Sequence, residues 1–186
     1  IYNGAVDNAT GVAGIIEIAE KFAAAPPRRS VVFLAVTLEE SGLLGSKYYV
    51  AQPAFPLEKT VAVVNLDAMS VAGRSRDVVV TGKGNSELED ILAPLASAQG
   101  RVLVEESNPA GGYYFRSDHF NFVKAGVPAL YAKGGGDLLE GGAAAGKAAA
   151  DEYARRYHQP SDEIHDGWRF DGIVEDLELL YGVGRE

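Results

Sequence analysis

A chain of 186 residues with 47% hydrophobic and 23% charged side chains can bury a core, which excludes a disordered or fibrous protein. Its formal charge of -9 repels a phosphate backbone and no cluster of Lys and Arg offsets it, which speaks against nucleic acid and suits a site for divalent metals. With no cysteine, disulfides and thiolate metal sites are excluded, so any zinc must be held by His, Asp and Glu.

In chain order, Val12, Ile15, Ile16, Ala19 and Phe22 recur at helical spacing and predict a helix over 9–24, ended by Pro26 and Pro27. Residues 30–37 (SVVFLAVT) form a nearly continuous apolar run rich in β-branched side chains, expected of a strand covered on both faces. A helix at about 43–51 separates it from a second such run at 60–66 (TVAVVNL), giving a β-α-β unit and an α/β fold with a largely parallel sheet. Weaker strands are predicted at 77–81, 101–105 and 128–132, helices near 86–98 and 118–125, and a last helix over 171–182. The Gly- and Ala-rich stretch 133–147 reads as a flexible loop, a rim to the site. No linker divides the chain, so one domain over 1–186 is expected; no apolar run has the length of a membrane span, and no signal peptide is visible within these residues.

Open α/β sheets build their sites at the carboxyl ends of strands, and the acidic residues sit accordingly. Glu39 and Glu40 follow the first apolar run, Asp67 follows the second, Asp7 stands in GAVDNATG before the first helix, and His158 stands in YHQPSDE. A hydrolase with two metals about 3.5 Å apart needs a bridging carboxylate, terminal ligands and a separate base for the water, and these five residues can fill those roles. Each has a plainer reading alone: Asp7 as a helix-start residue, Glu39 and Glu40 as first-turn charges favoured by the helix dipole, Asp67 as a turn former, His158 as a loop histidine.

The strings GAVDNATGVAGIIEIA, VFLAVTLEESGLLGSKYYV, VAVVNLDAM, RSDHFNFVKAGVPAL and YHQPSDE, in that order, resemble the signature blocks of the zinc aminopeptidase family, to which glutamate carboxypeptidase II and glutaminyl cyclase are related. The resemblance implies a three-layer zinc-exopeptidase fold, with a mostly parallel mixed central sheet, helices on both faces, and N-terminal strands lying ahead of this chain. It implies that Asp7 bridges two zincs, that Glu40 and His158 complete one of them, and that Asp67 binds the other with a histidine upstream of Ile1. Glu39 becomes the general base, and Tyr114, with Tyr113 as the adjacent alternative, donates to the oxyanion.

The implied activity is hydrolysis of a peptide substrate by an exopeptidase, with a one-zinc cyclase-like transferase and a non-catalytic peptidase-like domain as alternatives. Only one full ligand set, Asp7, Glu40 and His158, lies within the chain, so the 186 residues are expected to be a C-terminal portion that takes up one zinc. Export to the periplasm or outside the cell is typical of the family. Of the other histidines, His119 follows Ser117, a candidate helix cap, and is expected to be structural or to stand outside the ligand sphere rather than replace a zinc ligand; His165 is expected to be exposed.

Overall fold

The computed structural model describes residues 2–186. Ten regular elements carry the fold: helices α1 (Thr10–Ala24), α2 (Leu44–Ala51), α3 (Leu88–Ala98), α4 (His119–Lys124), α5 (Gly142–Tyr153) and α6 (Asp171–Arg185), and strands β1 (Val63–Asn65), β2 (Asp77–Val80), β3 (Val102–Glu105) and β4 (Ala129–Gly134). The four strands lie in the order β1-β4-β2-β3; β1 runs parallel to β4 and β2 parallel to β3, while β4 and β2 are antiparallel. The sheet is therefore mixed, as the family resemblance implied.

Period-two alternation distributes the strand side chains between two helical layers. Val78, Val80, Leu130 and Ala132 join Ile18 and Phe22 of α1, Leu92 and Ala96 of α3, and Ile173, Leu177, Leu179, Leu180 and Val183 of α6 in one apolar core. Tyr131, between Leu130 and Ala132 on β4, turns to the other face, where its ring lies 5.3 Å from that of His119 on α4.

Two sequence expectations fail. Residues 30–36 form no strand and residue 37 is a bend, and Val31, Val32, Phe33 and Leu34 are all exposed, Val32 at 47%. Strand propensity marks a chain that fits a half-buried pleated surface, and among the described residues no strand lies beside this one to provide that surface. The stretch 133–147 is not a loop throughout: β4 runs to Gly134 and α5 begins at Gly142. Alanine favours the helix intrinsically, and the glycines allow it to approach the preceding turn, since a Cβ on Gly146 would stand 1.9 Å from the Gly136 carbonyl.

Candidate metal centre

Three short segments bring the acidic residues together at the carboxyl end of β1. The first is the turn that enters α1. Asp162 accepts the Val6 N–H on both oxygens at 3.0 and 3.1 Å and the Asp7 N–H at 3.1 Å, fixing the backbone that presents the Asp7 carboxylate. Asn8 then crosses to the second segment: its Nδ2 donates to the Leu66 carbonyl at 3.0 Å, and its Oδ1 accepts the Ala68 N–H at 3.1 Å. Thr10 makes a parallel link, accepting the Met69 N–H at 3.0 Å while donating to the Val6 carbonyl at 2.7 Å. Asp7 and Asp67 are thereby held by one lattice of hydrogen bonds, although 60 residues separate them in sequence.

The third segment carries Glu39 and Glu40 on a single 3-10 turn, Glu39–Ser41. Leu43 and Leu44 N–H groups close this turn on the Glu39 and Leu38 carbonyls at 2.8 and 3.1 Å. Gly45 N–H donates to the Thr37 carbonyl at 2.9 Å, an approach only glycine permits, because a Cβ there would stand 2.2 Å from that oxygen. Asn121 donates to the Leu43 carbonyl at 3.1 Å and to Ser46 Oγ at 2.8 Å, and Ser46 in turn donates to Asp118, so α4 pins the turn from below.

Among the described residues, the non-glycine positions at positive φ are Leu38 (58°), Leu43 (59°), Ala68 (47°) and His158 (57°). Two bracket Glu39 and Glu40, one follows Asp67, and one is itself a candidate ligand. Such conformations cost about 1–3 kcal/mol each and persist where the surroundings over-determine them, which is the pattern of a functional site.

The donors converge. His158 Nε2 lies 3.2 Å from Asp7 Oδ2 and 2.8 Å from Glu40 Oε1. One donor atom from each of Asp7, Glu40 and His158 lies within 4.8 Å of the others, which fits a single small cation with oxygen and imidazole ligands. Asp67 stands beside this group, with Oδ2 accepting from Ser117 Oγ at 2.6 Å while Asn65 Nδ2 donates to the same hydroxyl at 2.7 Å. Ser117 was expected to cap α4; α4 instead starts without a side-chain cap, and the hydroxyl is spent on Asp67.

Gathered carboxylates repel one another, and the electrostatics follow. Burial, then the charges of Asp67 and Glu40, push Asp7 up from 3.8 to about 6, with His158 opposing. Burial, then Asp67, Glu40, Asp118 and Asp7, push Glu39 up to about 7, close to the ideal for a base working near neutrality.

Tyr114, the expected oxyanion donor, lies in the aromatic group around His119. Its ring packs 5.0 Å from that of His119, and burial followed by Glu89, rather than any of the four clustered carboxylates, raises its hydroxyl. Tyr157 lies against the ligands: its ring stacks on His158 at 3.8 Å, and after burial the charges of Asp7 and Glu40 act on its hydroxyl. Sequence reading missed Asn8, Thr10, Asp162 and Tyr157, although all four lie inside the DNAT and YHQPSD strings. His119 is buried, 1% exposed, and held down to about 4 chiefly by that burial, so it is a neutral core residue. His165 is exposed and accepts only the Gly167 N–H, at 3.2 Å.

The model of Peptidase family M28 matches residues 1–172. The chain belongs to that family. Leucine aminopeptidase 2 of Arthroderma otae is 27% identical over 172 residues, an alignment that takes in 87% of this chain and 34% of the relative. A protein of Pyrenophora tritici-repentis named "Probable zinc metalloprotease" is 36% identical over 87 residues, 47% of this chain and 17% of that protein. The fold is shared with the aminopeptidase of Aneurinibacillus sp. strain AM-1 (TM-score 0.72, 22% identity, 98% of this chain and 39% of that one). It is shared equally with the LapA aminopeptidase of Legionella pneumophila (TM-score 0.70, 21% identity, 98% and 46%). The chain thus spans between about a sixth and a half of the length of these relatives, and family membership implies zinc.

Proposed function

We propose that the chain carries the metal-binding and general-base residues of a zinc aminopeptidase. The observation that carries this reading is the convergence of Asp7, Glu40 and His158 within 4.8 Å, with Glu39 on the same turn as Glu40. Asp7, Glu40 and His158 would hold one zinc. Asp7 would be shared with a second, held on its far side by Asp67 and by the histidine that the family resemblance places ahead of the Asp7 segment. Zinc bound there supplies Lewis acidity toward the scissile carbonyl and lowers the pKa of water.

Everything else falls to the side chains. Glu39, half-buried and raised to about 7, takes a proton from the attacking water and returns it to the leaving amine. Tyr157, stacked on His158, is better placed than Tyr114 to donate to the developing oxyanion. Asp162 and Asn8 hold the backbone of Asp7, and Ser117 orients Asp67.

A second reading, a one-zinc cyclase-like transferase, is favoured by the fact that Asp7, Glu40 and His158 are the only full donor group among the described residues. The full-length protein separates the two when assayed for zinc content, for hydrolysis of an aminoacyl-nitroanilide and for cyclisation of an N-terminal glutamine peptide. Nitroanilide hydrolysis with two zincs is the expected result; cyclisation with one zinc overturns it, and absence of bound zinc overturns both readings.

A further inference from the structure

Strand β1 leaves the sheet early. Its pairing with β4 ends at Asn65 opposite Tyr131, yet β4 continues to Gly134, so in this parallel register Asp67 lies level with Lys133. The carbonyls of Asp67 and Ala68 have left the ladder, and no backbone N–H among the described residues donates to either. Lys133 supplies the missing donors: Nζ reaches the Asp67 oxygen at 2.9 Å, the Ala68 oxygen at 2.9 Å and the Tyr131 hydroxyl at 3.4 Å. Tyr131 adds its own hydrogen bond to the Asp67 oxygen at 3.3 Å.

An ammonium has three N–H groups, and here all three end on uncharged oxygens. Among the described residues Lys133 makes no ion pair within 4.0 Å, although Asp67, Asp7 and Asp176 are near enough to oppose the effect of burial on it. A lysine that desolvates its charge and gains no carboxylate partner is placed for the shape of the turn it holds. That turn is unusual, since Ala68 sits at φ 47°, a conformation that an alanine does not keep unaided. The Asp67 carboxylate is fixed at its other end by Ser117.

We propose that Lys133 is a positioning residue for the metal bound by Asp67: its ammonium clamps the Asp67 and Ala68 carbonyls and so keeps the left-handed turn that aims the Asp67 carboxylate at the side of the site shared with Asp7. The role rests on the two-zinc reading above. Lys133 touches neither metal nor substrate; it replaces the strand pairing that β1 forgoes in order to turn toward the site.

The test is a cobalt titration of the full-length protein, followed by visible absorption, in the parent and in Lys133→Met, which keeps the length of the side chain and removes its donors. Expected is a second equivalent bound about 10–100-fold more weakly, with an altered absorption band, while the first equivalent, at Asp7, Glu40 and His158, binds as in the parent. An unchanged second equivalent overturns the assignment, including when the melting temperature of the metal-free variant falls, because that pattern marks a merely structural lysine. Should Lys133→Met fail to fold by circular dichroism, Lys133→Gln, which retains a shorter donor, is read by the same criteria. A parent that binds two equivalents, with the second unchanged in Lys133→Met, overturns the Lys133 role alone; a parent that binds one overturns the two-zinc reading and the Lys133 role with it; a parent that binds none overturns the metal-site reading itself.

Discussion

Without a metal, the Glu39 and Asp7 carboxyls are raised above the ordinary carboxylate range for one shared physical reason. Burial removes water that would stabilise the charge, and neighbouring carboxylates add repulsion, so the pair is raised to about 7 and about 6 from 4.5 and 3.8. In the metal-free protein these two groups bind more protons folded than unfolded, so their contribution to unfolding free energy falls as pH rises from about 4 to about 7, while His119, held down to about 4, contributes in the opposite direction up to its ordinary value of 6.5. The Glu39 part is read as a difference: in thermal melts of metal-free protein, Glu39→Gln should gain melting temperature relative to the parent as pH rises from about 4 to about 7, and a difference that does not change with pH would contradict the arrangement. Replacing Glu39 by Gln removes the base but none of the ligands, so zinc content should be retained while nitroanilide turnover drops by at least 10²–10⁴-fold, the usual worth of a general base. Asp162→Asn acts differently, because an amide presents N–H groups where the Val6 and Asp7 N–H groups need acceptors. It should cost about 1–3 kcal/mol in urea unfolding and weaken zinc binding through Asp7, which isothermal titration would detect.

Between elements, the join that matters most is charged. Arg101, one residue before β3, pairs with Asp176 of α6 at 2.8 Å, both side chains 2% exposed. Asp176 also accepts the Gly134 N–H at 2.7 Å at the end of β4, while Arg101 donates to Ser75 Oγ and to the Asp77 carbonyl, each at 3.1 Å. Helix α6 is thereby tied to the ends of three strands at once. Even with Arg101 beside it, burial leaves Asp176 above the usual carboxylate range, the mark of a pair whose desolvation is costly. Arg101→Met alone strands a buried carboxylate and should destabilise by about 3–5 kcal/mol in urea denaturation. Adding Asp176→Leu should recover most of that loss, and a double variant no better than the single one would show that the pair carries more than mutual compensation.

For the molecule as a whole, the feature that matters most is the unpaired apolar segment at 30–37. Val31, Val32, Phe33 and Leu34 are exposed together, with the Phe33 ring 6.3 Å from Phe22 of α1 as its aromatic neighbour in the core. A contiguous apolar surface of this kind binds apolar dyes and other chains. The 186-residue chain should enhance anilinonaphthalene sulfonate fluorescence strongly, and Val32→Lys with Leu34→Lys should reduce that signal and raise solubility; an unchanged signal would place the dye elsewhere.

Local pattern determined much of this protein: the spans of α1, α2, α3 and α6, the strands at 77–80 and 102–105, the α/β class, and the candidate ligands Asp7, Glu40 and His158, whose convergence the motif order implied. Those features are written in the periodicity of apolar residues and in the residue types that a cation requires. The tertiary structure alone decided whether residues 30–37 would pair, because a strand is completed by a neighbour and its own sequence does not contain one. It also placed Tyr157 against His158, and it turned Ser117 from a helix cap into a partner of Asp67. Contacts such as Asp162 with Asp7, or Lys133 with Asp67, join residues 155 and 66 positions apart, and only the folded chain brings their donors and acceptors within reach.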